Sequence, residues 1–194
     1  FHKNRIASVL SIMDRPDAAL KIWQQELQIL QKFAKIAKSV DAVEDAKAVS
    51  AMMAHIEMKI GTQHKVMCDY PTASRVFQTA LERLHSDDEI LIYQLYHQLG
   101  KLFIESKEYP SAMEYLEKSA KIAHKVFGSG HPDSTPPLES MAELHHLQGN
   151  NDMALEIALQ VEAVKRRTLG FLSPQTAAIC SFIGQLIRLG AVPL

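Results

Sequence analysis

Cysteine is scarce: Cys68 and Cys180 are the only two in 194 residues, with no CxxC pair or His-rich ligand spacing beside either. Both a disulfide framework and a thiolate metal site need clustered ligands, so neither is expected, and no metal or cofactor follows from the residues. Two free, buried thiols in a reducing cytoplasm are the expectation. A basic excess is missing too. Lys and Arg number 21 against 22 Asp and Glu, a formal net charge of -1 with nine His left neutral. Phosphate neutralisation needs concentrated positive charge, which excludes a nucleic-acid partner. No apolar run reaches the roughly 18 to 20 residues of a bilayer span, and no charged-then-apolar leader is visible, so no membrane insertion is expected. The first residue is Phe1 rather than Met, which suggests an excerpt of a longer protein or a processed chain. Sustained period-two alternation is lacking, so no sheet is expected.

What is present is a repeat. Ile60-Gly61, then Tyr70, Ala73, Phe77 and Ala80, returns as Leu99-Gly100, Tyr109, Ala112, Leu116 and Ser119, and again as Met141-Ala142, Asn151, Ala154, Ala158 and Val161. The unit tails agree as well: Phe127-Gly128 with Leu169-Gly170, and Pro132 with Pro174. Cys180, Ile183-Gly184 and Ile187 restart the pattern near the C-terminus, and Ile6-Ala7, Leu10, Ala19 and Trp23 fit it near the N-terminus. A period near 40 residues means stacked supersecondary units. The small residue, Gly61, Gly100, Ala142 or Gly184, allows a neighbouring helix to approach closely, and large apolar residues three and four positions away fill the groove. Such a hairpin cannot bury its apolar face alone, so neighbours supply the core.

The expected fold is therefore all-α, a solenoid of antiparallel helix hairpins forming a single domain over residues 1–194. It divides into a degenerate N-terminal hairpin with a long second helix (1–40), repeats at 41–86, 90–128 and 133–170, and a terminal helix of a partial repeat (174–194). Pro71 and Pro110 sit at the starts of second helices, where a missing N–H costs little. Asp41 and Asn150-Asn151-Asp152 supply candidate capping side chains. Gly128, Gly130 and Pro132 end the helix begun near Ser111, and Ser173-Pro174 opens the last one. Two helices, Ala18 to about Ser39 and Ala42 to about Met67, are longer than the repeat requires; they read as a long pair widening the stack, with a coiled-coil contact as the alternative.

The segment from Tyr109 to Gly149 resembles the 42-residue tetratricopeptide repeat of kinesin light chains, whose Leu-Gly and His-Pro-Asp tail is represented by Phe127-Gly128 and His131-Pro132-Asp133. The likeness extends over roughly Ala51 to the C-terminus. It implies a right-handed superhelix of hairpins whose concave side binds peptide segments of partner proteins. The paired Asn of the light-chain groove are replaced here by His97-Gln98, Glu139-Ser140 and Ser181-Phe182. The Lys and Asn cluster of the chaperone-tail-binding class is not assembled either. On the same template the groove is lined by His55, Met58, Thr62 and Lys65, then by Gln94, His97, Lys101, Ile104 and Glu105, then by Glu139, Glu143, His146 and Leu147.

No nucleophile with a base, phosphate loop or framed pair of acids is present, so no catalytic residue is assigned and no enzyme is expected. His145-His146 do not converge as metal ligands, because adjacent helical residues point about 100° apart. The expected function is a non-catalytic scaffold or adaptor holding a peptide or helix of a protein partner, in the cytoplasm. The rival is a structural lobe of a larger enzyme or assembly, of the cytoskeletal or ciliary kind that light-chain-like repeats suggest. For that rival the apolar terminal helix from Cys180 to Ile187 is the packing surface.

Overall fold

The computed structural model describes residues 16–192. Ile6-Ala7 and Leu10, the first part of the N-terminal template match, lie outside the described residues. The described residues form eight α-helices and no strand: α1 (Pro16–Ser39), α2 (Val43–Val66), α3 (Tyr70–Arg83), α4 (Glu89–Glu105), α5 (Tyr109–Phe127), α6 (Pro136–Leu147), α7 (Asn151–Leu169) and α8 (Pro174–Arg188). A single 3-10 turn, Pro132–Ser134, precedes α6. Contacts divide the chain into two compact units, Phe1–Gln98 and Leu99–Leu194.

In the first unit α1, α2 and α3 pack around Ala19, Leu20, Trp23, Ile56 and Ile60. Residue 61 must be Gly here: a β-carbon would lie 2.6 Å from the ring of Phe77. In the second unit Ile104, Ala112, Leu116 and Leu144 form one core and Ala154, Leu155, Ala158, Val161, Ile179, Ile183 and Leu186 another. Of the second-helix positions of the sequence repeat, Tyr70, Tyr109 and Asn151 at the helix starts are half-buried, while Ala73, Phe77, Ala80, Ala112, Leu116, Ser119, Ala154, Ala158 and Val161 are completely buried. They are the seam along which helices meet, which explains why the repeat is written most clearly there.

One turn recurs after α1, α2, α4, α6 and α8. Asp41, Cys68, Lys107, Gly149 and Gly190 each take a left-handed backbone with φ between 55° and 85°. In each, the next residue's N–H returns to a carbonyl five back, as Glu108 N to Phe103 O at 2.8 Å and Asn150 N to His145 O at 2.9 Å. This is the Schellman closure, which satisfies carbonyls left open at a helix end.

The turn corrects three expectations. Asp41 is not the cap of α2, since it occupies the left-handed position and Ala42 is the capping residue, without a side-chain bond. Asn150 makes no side-chain cap either. Asn151 Oδ1 is instead engaged by His146 Nδ1 at 2.8 Å, and Asp152 Oδ1 accepts from the Val192 N–H at 2.8 Å. Cys68, expected to be buried, is exposed on the outside of its turn, and Cys180 is half-buried. By contrast, Asp69 does cap α3, accepting from Thr72 N, and Ser173 caps α8, accepting from Gln175 N.

Candidate protein-docking surface

In the first unit, His55, Met58 and Thr62 are half-buried along α2. Burial lowers the imidazole pKa of His55 from its usual value, and the nearby Lys59 charge acts in the same direction. The Thr62 hydroxyl donates to the Met58 carbonyl at 2.8 Å, so its donor is used within its own helix. Lys65 is buried. Gln94 and His97, on α4, are half-buried.

A neighbour of these positions escaped the sequence reading. Glu57 is buried, and both its oxygens accept from Arg83 Nε at 2.9 Å. Burial raises its pKa and is only partly opposed by the guanidinium. The second unit holds a counterpart. Glu139 Oε2 lies 2.8 Å from the Nζ of buried Lys165, while its Oε1 accepts from the Thr135 hydroxyl at 2.9 Å. Both pairs join an acid on a first helix to a base 26 residues later near the end of the second. That spacing was the available signal, although a salt bridge could not be told from solvated charges without burial.

Elsewhere in the second unit, Lys101 is half-buried, while Glu105, Glu143 and Leu147 are exposed. Ile104 does not face a groove; it belongs to the core with Ala112, Leu116 and Leu144. His146 bonds Asn151, as above, and sets its ring edge-on to Phe182, centroids 5.8 Å apart. His145 is half-buried, with Nδ1 shielded from solvent and unbonded. His131 serves the turn before α6: its Nδ1 accepts from the Asp133 N–H at 3.2 Å, and its ring stacks on Phe127. Glu105, Glu143 and Leu147, with Lys101 beside them, are therefore the second-unit candidates that remain at the surface, whereas Glu139 and His146 are tied into hydrogen bonds.

Among the described residues no helix is long and apolar enough to cross a membrane, and no group of three or more His, Cys, Asp and Glu side chains could hold a metal ion. Antiparallel helix hairpins with a small-residue seam, repeated about every 40 residues, define a tetratricopeptide-like helical-repeat protein. Residues 91–167 match the Tetratricopeptide repeat family model. The repeats are of the kinesin-light-chain-like kind. Protein KINESIN LIGHT CHAIN-RELATED 2 of Arabidopsis thaliana is 22% identical over 88% of the chain and 24% of the relative. RxLR effector protein SFI4 of Phytophthora infestans is 26% identical over 66% of the chain and 37% of the relative. Secreted RxLR effector protein RXLR-C07 of Plasmopara halstedii is 33% identical over 31% of the chain and 18% of the relative. The chain thus spans well under half the length of these relatives. Of solved structures, BtubC (BKLC) from P. vanneervenii superposes with a TM-score of 0.67 at 15% identity, over 87% of this chain and 66% of that one. A Podosopora anserina protein of nearly identical TPR-like repeats gives 0.52 at 15% identity, over 86% of this chain and 95% of that one. Identities this low establish the fold alone.

Proposed function

We propose that the chain is a non-catalytic docking module that holds a peptide or helix of a partner protein against the exposed sides of its first helices. The observation that carries this reading is that α4 and α6 keep exposed polar and apolar side chains among buried ones. Leu99, Leu102, Ala142 and Leu144 are buried, while Glu105, Glu143 and Leu147 are exposed and Lys101 is half-exposed. Charges of both signs next to an apolar anchor suit a protein partner better than a bilayer or a nucleic acid. In the first unit, taken by itself, His55, Met58, Gln94 and His97 are the half-buried candidates. The test is affinity capture and mass spectrometry with the chain as bait, repeated with His97→Ala and Lys101→Glu combined. Loss of a captured protein at unchanged Tm supports the reading; an unaltered set of captured proteins refutes it.

A second reading, a lobe that packs into a larger assembly through its last helix, is favoured by one feature. A β-carbon at Gly184 would meet nothing within 4 Å, whereas at Gly61 and Gly100 it would strike Phe77 and Leu116. Ile187, on the same helix, is 56% exposed. Gly184→Leu, which adds a side chain to open space, should abolish an assembly made through α8 and leave one made through α6 intact.

The compartment we propose is the cytoplasm, resting on two free thiols, Cys68 and Cys180. An exported protein is the rival, because one relative is named as secreted. Fractionating cells that express the natural full-length protein decides between them.

A further inference from the structure

Where the end of α1, the start of α2 and the end of α3 meet there is a cleft of about 510 Å³, wholly within the first unit. Its charged lining is Lys38, Lys47 and Arg83 against Asp41 and Glu82, with His85 also part of it. Two of these charges already have partners. Lys47 Nζ lies 3.1 Å from Asp87 Oδ2, and Arg83 Nε donates to both oxygens of Glu57, a side chain only 5% exposed. The N–H groups on the terminal nitrogens of the same guanidinium have no partner among the described residues, and neither do the carboxylates of Asp41 and Glu82.

The unused groups select the ligand. Glu57 holds the guanidinium in place through Nε alone, so the fork loses little freedom on binding an acceptor, and a carboxylate is the planar acceptor that matches it. An anion alone would bring a further carboxylate beside Asp41 and Glu82, and a phosphate dianion would double that repulsion. A cation alone would leave the donors of Arg83 idle. A ligand bearing both charges answers both sets of groups. We infer that the cleft binds a dipolar segment of a peptide, its carboxylate on Arg83 and its ammonium on Asp41 and Glu82. The cleft shares no residue with the first-helix candidates, so the inference stands or falls independently of the proposed function.

The probe is the capped tripeptide acetyl-Lys-Gly-Glu-amide, titrated into the isotope-labelled whole chain while NMR follows the backbone N–H signals of Ala42 and Ala46, two residues that line the cleft. One control peptide replaces the Glu by Gln, the other the Lys by Met. Saturable shifts are expected with the tripeptide, and each control should bind about tenfold more weakly. Asp41→Asn with Glu82→Gln should weaken the tripeptide by about tenfold and leave the control that lacks Lys unchanged. Both side chains are exposed, and Asn tolerates the left-handed backbone of residue 41, so Tm should hold. Arg83→Lys should weaken the tripeptide and that control alike, and the acid pair tests the idea even where loss of the Glu57 contact lowers stability. No saturable shift, a control peptide that binds as well as the tripeptide, tighter binding of inorganic phosphate, or full-strength binding by the acid-pair variant would each overturn the inference.

Discussion

Gly100 and Leu116 are in such close register that a β-carbon on residue 100 would fall 2.6 Å from both Cγ and Cδ2 of Leu116. Two helices in contact this close have no slack, because interiors are packed as tightly as organic crystals. Gly100→Ala should therefore lower stability by about 1 to 3 kcal/mol through overpacking, even though Ala is the better helix former. Leu116→Ala alone should cost about 2 to 5 kcal/mol. The double variant should be markedly less damaged than the two costs added, which urea denaturation in a double-mutant cycle measures.

The left-handed turns predict stabilisation rather than loss. Lys107 and Cys68 hold φ of 64° and 60° at positions where Gly149 and Gly190 stand in later turns. A side chain in that region is strained by about 1 kcal/mol, which glycine relieves. Lys107→Gly should raise the free energy of unfolding by about 0.5 to 1 kcal/mol, and Gly149→Ala should lower it by a similar amount. Equal Tm values for wild type and Lys107→Gly would show the turn to be unstrained.

Gly128 and Gly170 make a different demand. Both have φ of 83° with ψ of 159° and 164°, a region open essentially to glycine alone, and neither has an atom within 4 Å of a would-be β-carbon. Their cost on substitution is thus purely backbone, about 1 to 3 kcal/mol for Gly128→Ala. A D-alanine introduced at residue 128 by semisynthesis should restore stability, since its mirror-image preference matches the dihedral angles.

These turns also mark the limit of what the sequence discloses. Gly61, Gly100 and the Ala73, Ala112 and Ala154 series were readable because close helix approach forbids larger residues, and every one of them is buried. The Phe127-Gly128 and Leu169-Gly170 tails were readable for a different reason, a dihedral region only glycine enters. Asp41 misled because capping residues and turn residues share a composition, and only the backbone conformation tells them apart; Asn150 does take the N-cap position, but its side chain makes no cap bond. The candidate docking residues were less legible. A template places Ile104 and Glu139 beside a groove, but burial among Leu116 and Leu144 and a 2.8 Å contact with Lys165 are decided by side chains distant in sequence.

Glu139 therefore yields a prediction of its own. Glu139→Ala leaves the ammonium of buried Lys165 without this partner and frees the Thr135 hydroxyl, so it should cost about 1 to 3 kcal/mol. Replacing the pair together, Glu139→Leu with Lys165→Met, should cost less than Glu139→Ala alone. A thermally silent Glu139→Ala would return this carboxylate to the list of partner-facing groups.

His55 makes the first unit pH-sensitive. Its folded pKa is depressed below 6.5, first by burial and then by Lys59. A base with a depressed folded pKa binds fewer protons folded than unfolded, so its contribution is present above pH 6.5 and is lost as pH falls through the folded value. Tm should decline as pH drops from 7 toward 5, and His55→Gln should flatten that decline. An unchanged profile in the variant would assign the pH dependence to other groups.

The central claim, that exposed side chains on the first helices hold a protein partner, is tested most directly by calorimetric titration of a captured partner segment into wild type and into Lys101→Glu with Glu143→Lys. These residues lie at or near the surface, so the account predicts an affinity loss of about tenfold or more with Tm unchanged. Full-strength binding by the charge-reversed chain would contradict it.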